Sequence, residues 1–226
     1  MEVRVMKDIL GQNDATAGRL RQRFAGAHVY VLNLLGSPGA GKTSLLEMTL
    51  AMLGEEMRIA VIEGDLFTTR DADRIARTGV PVVQINTSGG CHLDASMVEK
   101  ALADARIDLL RLDFLIIENV GNLVCPAEFD IGEDEKAVVF SVTEGNDKPM
   151  KYPLIFKESS LTVINKVDLA PYTDFDVALA REDIRTINPG AMVLPLSCRT
   201  GKGVEAWLAW LRAKVRAKRK GAGKDD

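Results

Sequence analysis

The most constraining feature of this chain is the run Gly36-Ser37-Pro38-Gly39-Ala40-Gly41-Lys42-Thr43, followed by Ser44. It matches G-x4-G-K-[ST], a pattern whose glycines let consecutive backbone N–H groups curl around phosphate oxygens. In a chain of this length the match arises by chance about once in a hundred. The flanks sharpen it: an apolar stretch over 29–35 precedes the loop and a helix-forming stretch over 43–53 follows it. A strand feeding a glycine loop that opens a helix places the helix's positive end against the bound anion. Gly36, Gly39, Ala40, Gly41, Lys42, Thr43 and Ser44 are therefore candidate phosphate ligands. Lys42 reaches toward the terminal phosphates, and the Thr43 hydroxyl is suited to Mg²⁺.

Around this loop, apolar runs at 58–62, 80–85, 114–117, 137–142, 161–164 and 192–196 read as further strands. Helices are expected over 69–77, 94–105, 175–186 and 204–215, and a polar helix over 3–24, interrupted near Gly11 and Gly18. Strands alternating with helices predict an α/β fold with a mostly parallel sheet of about seven strands and helices on both faces. The expected organisation is an N-terminal helical extension over residues 1–27 and a single P-loop domain over 28–226. The charge of −3 argues against a nucleic-acid partner. The run Lys214, Arg216, Lys218, Arg219, Lys220 reads as a solvated, fraying helix end. No apolar run is long enough to span a membrane and no signal core opens the chain, so the expected compartment is the cytoplasm. Three cysteines form no disulfide framework.

Asn165-Lys166-Val167-Asp168 follows the 161–164 strand. A carboxylate at Asp168 would accept two hydrogen bonds from guanine, and adenine has no matching donors; such sites discriminate by roughly 10⁴–10⁵. The Lys166 stem would cover a base face and Asn165 would tie this loop to the phosphate loop. An ATP-dependent enzyme on the same fold is the rival that this tetrapeptide argues against. Ser197-Cys198-Arg199 resembles the S-A-K stretch that braces the base in GTPases, with Cys198 standing where alanine is usual.

Glu118-Asn119-Val120-Gly121 ends the 114–117 strand, where many GTPases carry D-x-x-G, so Glu118 would hold a magnesium-bound water. Asp65, after Glu63-Gly64, reads either as a second Mg²⁺ or water-positioning group or as a plain turn aspartate. Lys42, Asp65 and Glu118 are the candidate catalytic residues. No glutamine or arginine finger follows Gly121, only Asn122, which predicts slow hydrolysis.

Gly89-Gly90-Cys91-His92-Leu93-Asp94 sets a thiol beside an imidazole, and Cys125 follows Glu118 closely in the chain. Cys91, His92 and Cys125 are candidate ligands for Ni²⁺ or Zn²⁺. Each cysteine could equally be a small buried hydrophobe. Three ligands leave a tetrahedral site one short, which a second protomer could complete. His28 reads as structural.

With these motifs in hand, the chain resembles the hydrogenase nickel-incorporation GTPases, the HypB family. The most specific stretch is the run from Glu118 through Asn122-Leu123-Val124-Cys125-Pro126 to Gly132. Thr143-Glu144-Gly145-Asn146-Asp147-Lys148-Pro149 and the Gly89–Asp94 patch come next. The resemblance implies a slow GTPase that binds GTP and GDP and forms a nucleotide-dependent homodimer. It implies a metal site from Cys91, His92 and Cys125, and nickel delivery to the large subunit of a nickel–iron hydrogenase with a HypA-type metallochaperone. Residues 1–27 hold no cysteine and no histidine, so nickel storage of the kind seen at the start of many members is not expected there. A nucleotide-gated scaffold, or an accessory GTPase for another metalloenzyme such as urease, remains an alternative.

Overall fold

A computed structural model describes residues 2–66 and 69–221, with side chains from residue 10 onward. The apolar run at the start of the chain becomes β1 (Tyr30–Gly36), and every residue of it is buried. Its side chains alternate between two cores: Leu32 and Leu34 face one, and Val31 the other. All seven predicted strands form: β1, β2 (Ile59–Asp65), β3 (Val82–Asn86), β4 (Phe114–Glu118), β5 (Glu135–Ser141), β6 (Leu161–Asn165) and β7 (Met192–Pro195). They lie in the order β3-β2-β4-β1-β5-β6-β7, and each neighbouring pair is parallel. Strand order reverses direction at β1, and in such sheets the ligand crevice opens at the carboxyl ends of the strands beside that point.

On one face of the sheet lie α2 (Lys42–Leu53) and α9 (Val204–Lys220), joined to it through Leu45, Leu50, Trp207 and Leu211. The buried Trp207 indole donates to the Thr49 hydroxyl at 2.8 Å. On the other face lie α1 (Glu2–Ala27) and α4 (Ala95–Asp104), which share a core containing Ala17, Leu20, Phe24 and Val98. A third core under α7 (Pro153–Lys157) and α8 (Val177–Ile187) packs Phe140, Phe156, Ile164 and Ile184. The remaining α-helices among the described residues are α3 (Arg70–Ala76) and two single turns, α5 (Cys125–Glu128) and α6 (Lys148–Lys151). Among the described residues no helix is long and apolar enough to cross a membrane.

Two expectations are corrected. First, α1 is not interrupted at Gly11 or Gly18. Each glycine costs a helix roughly 1 kcal/mol against alanine. The full burial of Ala17, Leu20 and Phe24 along the same helix opposes that cost. Second, the basic end of α9 is not a free, fraying terminus. Lys214 pairs with Glu135, Lys218 with Asp134 at 2.5 Å, and Arg219 with Asp113 at 3.6 Å. His28 takes a left-handed backbone where α1 turns into β1.

Asp113 anchors the entry to β4. It is buried, and its carboxylate accepts from the Arg58 backbone N–H at 2.9 Å and from the guanidinium at 3.0 and 2.8 Å. Burial alone would raise its pKa, but the bonds and charge of Arg58 outweigh that and hold it below the ordinary range. A depressed pKa stabilises the fold above the unfolded value near 4, and that contribution is lost as pH falls through the folded value. Asp113→Asn should therefore cost about 1–3 kcal/mol in urea unfolding at neutral pH. The gap to wild type should close in titrations taken down through pH 4; a gap independent of pH would assign the cost to packing instead.

Candidate functional site: two clefts and a cysteine–histidine cluster

The glycine loop leaves β1 through Gly36, whose φ of +148° brings its Cα against β5. A Cβ there would sit 2.1 Å from the Val139 carbonyl oxygen, so the approach requires glycine. Gly39 and Gly41 also have positive φ, +77° and +99°. A Cβ on Gly41 would meet the Asn165 amide at 2.3 Å. The loop and the carboxyl ends of β2 and β4 enclose a cleft of about 400 Å³ lined by Gly39, Gly41, Lys42, Thr43 and Ser44. Lys42 is buried, and its ammonium donates to the Gly36 carbonyl at 3.4 Å. Gly121 closes the far wall, with Pro38 2.9 Å from where its Cβ would lie.

Parallel register places Glu63 of β2 beside Glu118 of β4 at the floor of this cleft. Both are buried, and each keeps one carboxylate oxygen without a hydrogen-bond partner. The other Glu118 oxygen accepts from the Thr43 hydroxyl at 2.9 Å. Burial pushes the Glu118 pKa up to about 7, against the pull of Lys42. Burial, then the charge of Glu118, pushes Glu63 up to about 8. Glu63, Asp65 and Asp71 hold carboxylate oxygens within 4.8 Å of one another. Two buried orphan oxygens beside a threonine hydroxyl and further carboxylates make an all-oxygen donor set, which fits Mg²⁺. Arg74 of α3 also lines the cleft and binds Glu47, Asp71 and the Ser44 hydroxyl.

Glu63, Asp71 and Arg74 were not among the residues singled out from sequence. Glu63 had a readable signal, a carboxylate at a strand end two residues before Asp65. Asp71 and Arg74 had none, because α3 reaches the cleft only through the packing of the whole sheet.

A second cleft, about 530 Å³, opens beyond Gly41 and is lined by Asn165, Lys166, Asp168, Cys198 and Arg199. Asn165 donates to the Ala40 carbonyl at 2.9 Å, and its oxygen accepts from the Lys166 and Cys198 backbone N–H groups. Lys166, left-handed at φ +61°, donates to the Gly39 carbonyl at 2.6 Å. Asp168 accepts from the Ser197 hydroxyl at 2.6 Å, which fixes one carboxylate oxygen and aims the group. Burial raises the Cys198 thiol to about 11, so it stays protonated. The two segments expected to hold a base thus meet around one opening joined to the phosphate loop.

Cys91, His92 and Cys125 come together as well: one ligand atom of each lies within 4.8 Å of the others. Cys91 and His92 sit on the loop between β3 and α4, shaped by left-handed Ser88 and Gly89. Cys125 opens α5. The Cys91 sulfur is 3.6 Å from His92 Nδ1, and the His92 ring lies on Phe129 with centroids 3.8 Å apart. The hydrogen bond to Cys125 pushes the Cys91 thiol up, and burial pushes His92 down toward its neutral, ligating form. Soft sulfur with imidazole suits nickel or zinc.

Residues 30–195 match the family model of the CobW/HypB/UreG nucleotide-binding domain. The hydrogenase maturation factor HypB of Azotobacter vinelandii is 54% identical over 209 residues, spanning 92% of this chain and 68% of that one. This chain belongs to the HypB family of hydrogenase maturation factors. The HypB of Escherichia coli K12 is 51% identical over 204 residues, 90% of this chain and 70% of its own. Among solved HypB structures, that of Helicobacter pylori in complex with nickel superposes with a TM-score of 0.84 at 41% identity, covering 91% of this chain and 96% of that one.

Gly36→Ala tests how tightly β1 and β5 define the HypB-type loop. Its Cβ cannot coexist with the Val139 carbonyl, so the variant should lose about 2–4 kcal/mol, read as a lower denaturant midpoint without nucleotide. A midpoint equal to wild type would mean that the loop opens freely away from β5.

Proposed function

We propose that this chain is a GTP-hydrolysing metallochaperone that carries nickel as cargo for the maturation of a nickel–iron hydrogenase. The observation that carries the reading is the meeting of Cys91, His92 and Cys125 on loops that leave the same strand ends as the nucleotide cleft. The nickel complex of the Helicobacter pylori relative supports nickel as that cargo, and zinc is the competing ion.

In this reading the backbone of Gly36, Gly39, Ala40 and Gly41 cradles the phosphates, with Lys42 on the terminal ones and Ser44 at the loop's exit. Thr43, Asp65 and Glu118 would hold Mg²⁺, which supplies charge neutralisation when bound. Asn165 and Lys166 join the base loop to the phosphate loop, Asp168 reads guanine, and Ser197, Cys198 and Arg199 brace it. Gly121, packed on Pro38, senses the terminal phosphate. Turnover is slow, because the residue after Gly121 is an asparagine whose side chain is committed elsewhere. GTP binding orders the segment from Glu118 to Cys125 and so completes the thiolate pair; hydrolysis loosens it and releases the ion. A homodimer formed with nucleotide bound would complete the coordination of the metal, and a HypA-type partner would pass it to the hydrogenase large subunit.

Equilibrium dialysis with GDP and with a non-hydrolysable GTP analogue tests the scheme. Nickel should bind more tightly with the analogue and be lost in Cys91→Ala, which should still hydrolyse GTP. Binding in neither state would leave a nucleotide-gated scaffold, and collapse of metal-free hydrolysis in the variant would show that the two sites are one. Asp168→Asn should weaken GTP by roughly 10²-fold or more while admitting xanthosine triphosphate. Unchanged GTP affinity would end the guanine assignment.

A further inference from the structure

We propose that Asn122 is the positioning residue that links the phosphate loop to the metal-binding thiols, through a hydrogen bond from its side-chain amide to Cys91. The inference rests on the metallochaperone reading above and adds to it the physical link between the two sites.

Asn122 uses each of its polar groups on a different segment. Its backbone N–H donates to the Gly36 carbonyl at 3.0 Å, an antiparallel bridge onto the first residue of the phosphate loop. Its Nδ2 donates to the Cys91 carbonyl at 3.3 Å. Its Oδ1 accepts from the Val124 N–H at 2.9 Å, which fixes the residue just before Cys125. One half-buried side chain thus holds the backbone beside both thiols, while its own backbone is tied to the nucleotide loop.

The loops also touch through Asn119 and Leu93, but that contact is of a different kind. Asn119 is buried, receives the Leu93 N–H at 3.0 Å and donates to Asn33 at 3.2 Å in the core. Leu93 packs over Gly64, 2.8 Å from where a Cβ would lie. These groups are close-packed on every side and form a frame that stays put. Asn122 lies outside that frame, at the rim of both sites.

The Gly36 carbonyl is where nucleotide state would be felt. It accepts from the Asn122 N–H and also from the Lys42 ammonium at 3.4 Å. A terminal phosphate draws that ammonium away, since a charge-assisted bond outcompetes one to a neutral carbonyl. The carbonyl is then left to Asn122 alone, its bridge tightens, and Asn122 seats Cys91 and Cys125 for the ion. With GDP only the β-phosphate holds the ammonium, so the Gly36 carbonyl competes for it again and the bridge is once more shared.

The test measures Ni²⁺ affinity of the full chain with GDP and with a non-hydrolysable GTP analogue, in wild type, Asn122→Ala and Asn122→Asp. The aspartate keeps the shape and the bond to Val124 but loses the donor to Cys91, and it covers the case in which the alanine variant folds poorly. In wild type the affinity ratio between the two states should exceed one. In both variants it should fall toward one, a loss on the order of three- to tenfold for one neutral hydrogen bond. The thiolate-to-nickel charge-transfer band should still appear, since all three ligands remain, but should no longer change with nucleotide. A variant ratio equal to that of wild type would overturn the role of Asn122 and leave the metallochaperone reading intact. A wild-type ratio of one would overturn the coupling itself, and with it this inference.

Discussion

The geometry of this molecule depends on how closely the end of β1 approaches β5. At Gly36 the backbone of one strand lies against the Val139 carbonyl of its neighbour, closer than any side chain permits. That approach turns the chain into the phosphate loop at the middle of the sheet, where strand order reverses. The Gly36 carbonyl then faces inward, available to Lys42 on one side and Asn122 on the other. The loop after β4 is thereby held against the phosphate loop, and the cysteine at its far end is held near the loop after β3. A single glycine fixes the distances among three loops because a parallel sheet has no slack across adjacent strand ends.

Much of this was legible in sequence, for a definite reason. Strands buried on both faces must be apolar throughout, so 29–35, 114–117 and 161–164 stand out, and in a parallel sheet their carboxyl ends share one edge. Any polar motif placed just after such a run therefore lands in one crevice. That is why Asn165, Asp168, Glu118, Cys91 and Cys125 could be picked out without coordinates. What was not legible depends on contacts between distant segments. The basic end of α9 reads as solvated until Asp113, Asp134 and Glu135 are known to lie beneath it. The continuity of α1 past two glycines rests on a core shared with α4. Asp71 and Arg74 carry no motif, and their place in the cleft follows only from the packing of α3.

The floor of the cleft shows how burial prepares charge for a ligand. Glu63 and Glu118 are forced side by side by strand register, out of water and each with an orphan oxygen. Burial raises the proton affinity of both, and the charge of Glu118 adds to the shift at Glu63. A divalent cation among them removes the repulsion and the desolvation cost together. The same carboxylates facing an unaccompanied triphosphate would repel it. Such a floor favours a nucleotide that arrives with its cation over one that arrives bare.

The metal cluster follows the opposite rule. Cys91 is exposed and His92 half-buried on the same loop, and Cys125 sits on a single helical turn whose N-cap, Val124, is exposed. Core residues beside them (Leu93, Leu123 and Ala127) anchor the two loops, and a few hydrogen bonds at the rim set the thiols themselves. If the cluster carries metal as cargo, as proposed above, ligands seated by weak, reversible contacts suit release better than ligands locked in a close-packed interior. Loops with few buried contacts are the part of a fold that can change state without unfolding the rest. The division of labour between buried Asn119, which keeps the two loops in register, and half-buried Asn122, which touches both sites, separates what must stay fixed from what must respond. The coupling proposed here would need no movement of the sheet, only a change in which group shares one carbonyl.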